Sequence, residues 1–154
     1  MNLEYGPEYE DFRAEVIDFC KEYEGISFEN TSSKNVSRSE WQKILIEKGF
    51  IARAIPKEYG GFGGETDIIK SRIIATEFSK AKIPGGMGGQ GIDMLVPTLL
   101  EWGTEEQKQQ YIQPTLHGEM IWCQGYSEPN AGSDLASLQT KGAVSYTHLR
   151  AHET

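Results

Sequence analysis

Apolar residues recur at helical spacing through most of the chain. Over residues 7–24 they return at steps of three and four, as on one face of an amphipathic helix. Residues 66–82 carry apolar positions on two sides, which is typical of a helix packed between neighbours. Residues 93–102 predict a further helix, with Pro97 either in its first turn or at a kink.

Two short polar patterns predict where other helices begin. Ser37 is followed three residues later by Glu40, and Thr104 is followed in the same way by Gln107. Each pair can form a capping box, in which the two residues exchange hydrogen bonds between side chain and backbone. The first predicts a short helix that ends near Gly49, and the second predicts a helix that runs towards Leu116.

Glycine and proline divide these helices, and a strand follows them. Residues 56–64 contain a proline and four glycines and predict a shaped loop without helix, while residues 85–91 predict a glycine-rich turn. Residues 25–35 are polar and predict another loop, and residues 119–126 predict a strand. The fold expected is mainly α, a helical bundle that leads into the start of a β-domain.

Composition excludes some classes of function. The net charge of −8 and the lack of a basic cluster argue against a nucleic-acid partner. Neither a signal peptide nor a membrane-spanning apolar run is recognisable, so we expect a cytoplasmic protein. Cys20 and Cys123 lie far apart among apolar residues, and both are expected to be buried as small hydrophobic side chains.

The most informative segment is residues 125–137, which read GYSEPNAGSDLAS. This segment resembles the signature of the acyl-CoA dehydrogenase family, in which Ser or Thr, then Glu-Pro, then Gly-Ser-Asp follow a strand. Residues 41–64 and 103–119 resemble two further family segments in the expected order. The resemblance covers residues 7–143. It implies an amino-terminal helical domain at 1–117 and the beginning of the middle β-domain at 118–144.

The resemblance also implies an FAD cofactor. By this analogy Gln124, Tyr126 and Ser127 lie beside the flavin ring, and Gly132 and Ser133 lie beside its ribityl-phosphate portion. A hydroxyl at Ser127 can donate to the ring and tune its electron affinity. Backbone amides in a turn that contains glycine suit phosphate oxygens.

In this family a glutamate of the carboxy-terminal helical domain removes the α-proton of an acyl thioester, and the β-hydride passes to the flavin. No residue here matches the context of that glutamate, and Glu128 is interpreted as structural. We therefore expect an inactive amino-terminal part of a dehydrogenase, with no catalytic residue of its own. The resemblance implies an acyl-CoA substrate, an electron-transfer flavoprotein or similar acceptor, and a homo-oligomer for the intact enzyme.

Residues 145–154 depart from the family pattern. They resemble a non-native ending, and our hypothesis is that the native sequence stops near Val144. His148 and His152 have the spacing of two helical metal ligands, but no third ligand accompanies them, so no metal site is expected.

Alternatives remain open at this point. The chain can instead be a non-catalytic helical module that binds a partner or scaffolds an assembly. It can also derive from a related acyl-CoA oxidase or flavin hydroxylase. Several large side chains are expected in the core rather than in the wall of an acyl pocket, and Glu77 is expected to reach solvent. The large side chains are Met87, Met94, Trp102 and Trp122.

Overall fold

The computed structural model describes residues 6–28, 36–125, 127–145 and 148–152. The chain divides into two compact units, Met1–Trp122 and Cys123–Thr154. The first unit is helical and the second contains a short hairpin, so the mainly α prediction is confirmed. The helices are α1 (Pro7–Glu22), α2 (Arg38–Glu47), α3 (Ile68–Ala81), α4 (Val96–Trp102) and α5 (Glu105–Leu116).

The first core of the helical unit lies where α1 packs against α3. Phe19 of α1 stacks on Trp41 at 5.6 Å and on Phe78 at 5.9 Å, and meets the edge of Phe50 at 4.9 Å between ring centroids. Trp41 also donates from Nε1 to the Pro84 carbonyl at 3.0 Å. Such aromatic pairs add to the free energy gained by burying their area.

Both predicted capping boxes are present. The amide of Glu40 donates to Ser37 Oγ at 3.1 Å, and the amide of Ser37 donates to the Glu40 carboxylate at 2.8 Å. At α5, the amide of Gln107 donates to Thr104 Oγ1 at 3.3 Å, and the amide of Thr104 donates to Gln107 Oε1 at 2.9 Å. Each box satisfies amides at a helix start that have no partner within the helix.

Helix α3 begins later than the pattern indicated, because Asp67 caps it by accepting hydrogen bonds from the amides of Ile69 and Lys70. The prediction for Glu77 was wrong, since this residue is 6% exposed. Its carboxylate accepts from Lys80 Nζ at 2.9 Å and lies 3.8 Å from Arg13 Nε. Packing of α3 against α1 buries the glutamate, and the two cations compensate its charge.

The helix predicted over 93–102 is divided in two. A π-helical turn covers Gly91–Leu95, and α4 follows with Pro97 in its first turn, as one of the two predicted positions. Pro97 has no N–H to bond to the carbonyl of residue 93, which favours the wider turn. Val96 and Leu99 supply the buried face of α4, whereas Met94 is 47% exposed and Trp102 is 78% exposed, so the prediction that both lie in the core was wrong.

The loop over 56–64 contains one short 3₁₀ turn, Lys57–Tyr59, so the prediction of a loop without helix was wrong there. Pro56 precedes the turn, and Gly60 ends it with φ of 83°, a conformation that glycine adopts without strain. Tyr59 is buried in the second core of the helical unit. That core contains Ile46, Tyr59, Val96, Leu99, Ile112 and Leu116.

The second unit has little regular structure before its hairpin. The prediction of a strand over 119–126 was wrong for residues 119–125, which form no strand. Tyr126 lies outside the described residues. Strand β1 (Lys141–Ser145) pairs antiparallel with β2 (His148–His152), with Lys141 opposite His152. The two histidines thus lie on a strand rather than a helix.

Two predictions about the course of the chain are not tested. That residues 145–154 are non-native stays a hypothesis, and the predicted domain boundaries stay predictions.

Two further observations concern burial and membranes. Cys20 is buried as expected, whereas Cys123 is exposed, so the prediction for Cys123 was wrong. Residues 121–125 form no strand, and four of the five are exposed: Ile121, Cys123, Gln124 and Gly125. Within the described ranges, no helix has the length and apolar character needed to cross a bilayer.

Candidate functional site

The predicted flavin-facing residues lie at the start of the second unit. Gln124 belongs to a segment without regular structure and is exposed, and Ser127 is exposed beside a tight turn. Gly132 and Ser133 follow that turn and are also exposed. Tyr126 lies outside the described residues, so its predicted place beside the flavin ring stays a prediction.

The turn is held by its own backbone and by Glu128. The amides of Glu128 and Ala131 donate to each other's carbonyl oxygens at 3.2 and 3.1 Å. The Glu128 carboxylate accepts from the amides of Gln139 at 2.9 Å and of Thr140. Hydrogen bonding by Thr140, and then by the Gln139 amide, holds the pKa of Glu128 below its ordinary value. These bonds agree with the interpretation of Glu128 as a structural residue.

The exposed donors of this turn suit an anionic or polar ligand. In the part of the chain that the structure describes, the amides of Gly132 and Ser133 donate to no protein acceptor. A Cβ added at Gly132 would meet no atom within 4 Å, so the backbone there faces open space. Successive exposed residues with a nearby hydroxyl match the chemistry of phosphate oxygens. The residues present therefore fit the phosphate portion of FAD.

No candidate metal centre accompanies these donors. Among the residues described, no group of three or more His, Cys, Asp or Glu side chains is placed to hold an ion.

The helical unit contains a small cleft at the glycine-rich turn. Its volume is about 140 Å³, and it is lined by residues 87–92, Thr115, Gly118 and residues 120–122. The backbone of the turn is fixed by Gln42, a buried residue whose Oε1 accepts from the Met87 amide at 2.7 Å. Sequence reasoning missed Gln42, because a polar residue next to Trp41 on a helix gives no signal of a partner forty-five residues away.

A polar cluster joins the end of α5 to α2. Lys43 Nζ lies 2.9 Å from the Glu119 carboxylate, and His117 Nδ1 lies 3.8 Å from the same group. Burial lowers the pKa of His117, and Lys43 lowers it further, while Glu119 opposes both. The hydrogen bond from Lys43 lowers the pKa of Glu119. Ser39 Oγ also donates to the His117 carbonyl at 2.8 Å, so the cluster ties the two helices together.

A match to a family model shows the class of protein. Residues 6–119 match the family model described as "Acyl-CoA dehydrogenase, N-terminal domain". Because that match spans most of the chain, the chain belongs to the acyl-CoA dehydrogenase family.

Individual relatives agree with this class. The chain is 38% identical over 103 residues to "Acyl-CoA dehydrogenase IpdE1" of Mycolicibacterium smegmatis, covering 67% of this chain and 26% of the relative. It is 33% identical over 142 residues to "Probable acyl-CoA dehydrogenase YngJ" of Bacillus subtilis, covering 92% of this chain and 37% of the relative.

Solved structures show the same similarity. The ChsE4-ChsE5 complex from Mycobacterium tuberculosis matches with a TM-score of 0.62 and 26% identity, covering 99% of this chain and 39% of that one. An acyl-CoA dehydrogenase from Geobacillus kaustophilus matches with a TM-score of 0.57 and 30% identity, covering 98% and 39%. The chain thus spans between 26% and 39% of the length of these four proteins.

Proposed function

We propose that the chain is the amino-terminal framework and flavin-contacting segment of an FAD-dependent acyl-CoA dehydrogenase. The observation that carries this proposal is the exposed donor set of Ser127, Gly132 and Ser133, which directly follows the helical domain of that family. Free amides and a hydroxyl in a turn are the groups that a bound dinucleotide needs from its protein.

The proposed reaction is α,β-dehydrogenation of an acyl-CoA thioester to the 2-enoyl-CoA. A base removes the α-proton as the β-hydride leaves, and the electron pair of the broken α C–H bond forms the double bond. When bound, FAD supplies the acceptor for that hydride. By the family resemblance, Gln124, Tyr126 and Ser127 would hold the flavin ring, and Gly132 and Ser133 would hold its phosphate portion. The base is not among the residues of this chain.

The partners proposed are an acyl-CoA substrate and an electron-transfer flavoprotein or similar acceptor. A homo-oligomer is proposed on the family resemblance. The name of the Mycobacterium tuberculosis neighbour describes a complex of two different proteins. Association of this chain with a different, related subunit is therefore the alternative outcome, and light scattering of the chain alone and with such a subunit separates the two.

A chimera tests the proposal. Residues 6–133 replace the matching segment of the Bacillus subtilis relative, which is 33% identical over the matched region. We expect the chimera to retain FAD through gel filtration and to reduce an electron acceptor when acyl-CoA is added. Ser127→Ala should shift the flavin reduction potential, and Gly132→Val should weaken FAD retention, because its side chain fills the space before the amides.

The matched control is Ser79→Ala, an exposed serine on α3 that lies in the helical unit. This control should retain FAD like the parent chimera. A folded chimera without FAD would contradict the proposal, and so would an unchanged reduction potential in Ser127→Ala together with unchanged FAD retention in Gly132→Val.

The chain by itself gives a second test. Purified chain with added FAD and acyl-CoA should not reduce an electron acceptor, since the base is supplied from outside this sequence. Measurable acceptor reduction above a heat-denatured sample would contradict this part of the proposal.

A further inference from the structure

Trp122 is held on three sides by the helical unit. Its Nε1 donates to Thr115 Oγ1 at 2.8 Å, and the Thr115 hydroxyl donates in turn to the Tyr111 carbonyl at 2.6 Å. The Tyr111 ring meets the Trp122 ring edge-on, at 5.7 Å between centroids and 82° between planes. The indole therefore has both a polar and an aromatic partner on α5.

Gly91 completes the contact from the other side of the cleft. A Cβ at Gly91 would lie 2.5 Å from Trp122 Cδ1 and 2.9 Å from Thr115 Cγ2, which is too close for any side chain. The glycine at this position lets the π-helical turn approach the indole directly. Trp122 thus joins the glycine-rich turn to the last helix of the unit.

The residues on either side of Trp122 are not held in this way. Ile121 is 93% exposed, and Cys123 is exposed as well. Trp122 is also the last residue of the helical unit, and Gln124 follows two residues later. The indole is consequently the side chain that fixes where the backbone leaves the helical unit.

We propose that Trp122 is a positioning residue, anchored by Thr115 and Gly91, which sets the starting point of the flavin-contacting segment. The flavin part of this inference rests on the proposed function, whereas the anchor itself does not. A fixed starting point lowers the conformational freedom that Gln124 and Ser127 must lose when a ligand binds. Loosening the anchor should therefore weaken flavin binding without changing any residue that touches the flavin.

The anchor is tested on the chain itself with a nitroxide spin label on Cys123, in a Cys20→Ala background that leaves a single thiol. Thr115→Val keeps the shape of the side chain but removes the acceptor for Trp122 Nε1. The loss of one hydrogen bond costs about 1 kcal/mol, which changes an equilibrium constant about fivefold. We therefore expect about a fivefold rise in the fraction of the label that is mobile. Thr115→Ser keeps the hydroxyl and should restore the parent spectrum.

Thr98→Val is the matched control. Thr98 also donates its hydroxyl to a backbone carbonyl four residues earlier, that of Met94 at 2.8 Å, and it is exposed on α4. This variant should leave the label unchanged. An unchanged label in Thr115→Val, or an equal change in Thr98→Val, would overturn the anchor.

The positioning role is tested in the chimera described above. Thr115→Val and Gly91→Ala should each weaken FAD retention about fivefold, and Thr115→Ser should restore it. A mobilised label with unchanged FAD retention would overturn the positioning role. If the parent chimera holds no FAD at all, the proposed function fails instead, and the spin label still decides whether the anchor exists.

Discussion

The helical unit and the segment that follows it differ most in what they bury. Residues 6–122 contain two apolar cores, and Trp41 in the first of them is 1% exposed. Over residues 123–133, Ala131 is the buried apolar residue among those described. The same short stretch carries Ser127, Gly132 and Ser133, all of which are exposed.

This difference separates stability from chemistry. Buried apolar area stabilises a fold, whereas donors that bind a ligand must stay accessible until the ligand arrives. Changes to buried side chains of the helical unit should therefore alter the free energy of unfolding, and changes after Trp122 should alter ligand binding. The proposed anchor of Trp122 is the exception, because it lies in the helical unit and should act on ligand binding. Substitutions of decreasing expected effect test that separation.

Removing the indole at position 41 should have the largest effect on stability. Trp41→Ala deletes a buried side chain that stacks on Phe19 and bonds to Pro84, so we expect a loss of about 3–5 kcal/mol in the free energy of unfolding. Urea denaturation followed by circular dichroism measures it. Trp102→Ala is the control, since that indole is 78% exposed, and its effect should stay within about 0.5 kcal/mol. Equal losses in both variants would contradict the assignment of the core.

Removing a cap should have an intermediate effect. Ser37→Ala and Thr104→Ala each eliminate the side-chain acceptor of a capping box, and each should cost about 1 kcal/mol in the free energy of unfolding. Ser79→Ala, within α3, provides the comparison for a serine that caps no helix. The idea fails if the cap variants unfold at the same urea concentration as this control.

The contribution of Tyr59 to the free energy of unfolding should be smaller than that of the caps. It should depend on pH only in alkaline solution. Its hydroxyl donates to the Glu105 carboxylate at 2.6 Å, which raises the pKa of Tyr59 from 10.0 to about 12. Folding therefore favours the neutral phenol. The stabilising contribution is complete below pH 10 and is lost as the pH rises through about 12. The stability difference between the parent chain and Tyr59→Phe should shrink over that range, and a constant difference would contradict the account.

Substitution of Glu128 should have the smallest effect on the free energy of unfolding of the helical unit. Glu128→Gln weakens the bonds to the amides of Gln139 and Thr140, which lie in the second unit. We expect the urea midpoint of the helical unit to stay unchanged, while amide exchange over 128–140 becomes faster. A large shift of the urea midpoint would show that the signature turn contributes to the stability of the helices.

Local patterns predicted the helices well, because their causes lie within a few residues. Ser37 with Glu40 and Thr104 with Gln107 predicted the starts of α2 and α5, since a capping box needs no distant partner. Met94 and Trp102 were placed wrongly, because Met94 lies in the π-helical turn itself and the buried face of α4 is supplied by Val96 and Leu99. A strand over 119–126 needs neighbouring strands, which a local pattern does not supply.

The flavin-contacting role of the candidate site stays a prediction. The signature motif indicated Ser127, Gly132 and Ser133, and the structure shows that all three are exposed. Their contact with a flavin stays a prediction. The bond between Trp122 and Thr115, and the contact of Gly91 with the indole, were not predicted, because they depend on how α5 and the glycine-rich turn pack together.

Hydrogen exchange of the backbone amides tests the separation of stability from chemistry most directly. In the chain alone, amides of α2, α3 and α5 should exchange slowly and lose protection together as urea is added, whereas amides of residues 123–133 should exchange rapidly in its absence. That result would confirm a stable helical framework that presents an accessible segment for a ligand. Slow exchange over 123–133, lost at the same urea concentration as in the helices, would contradict the account.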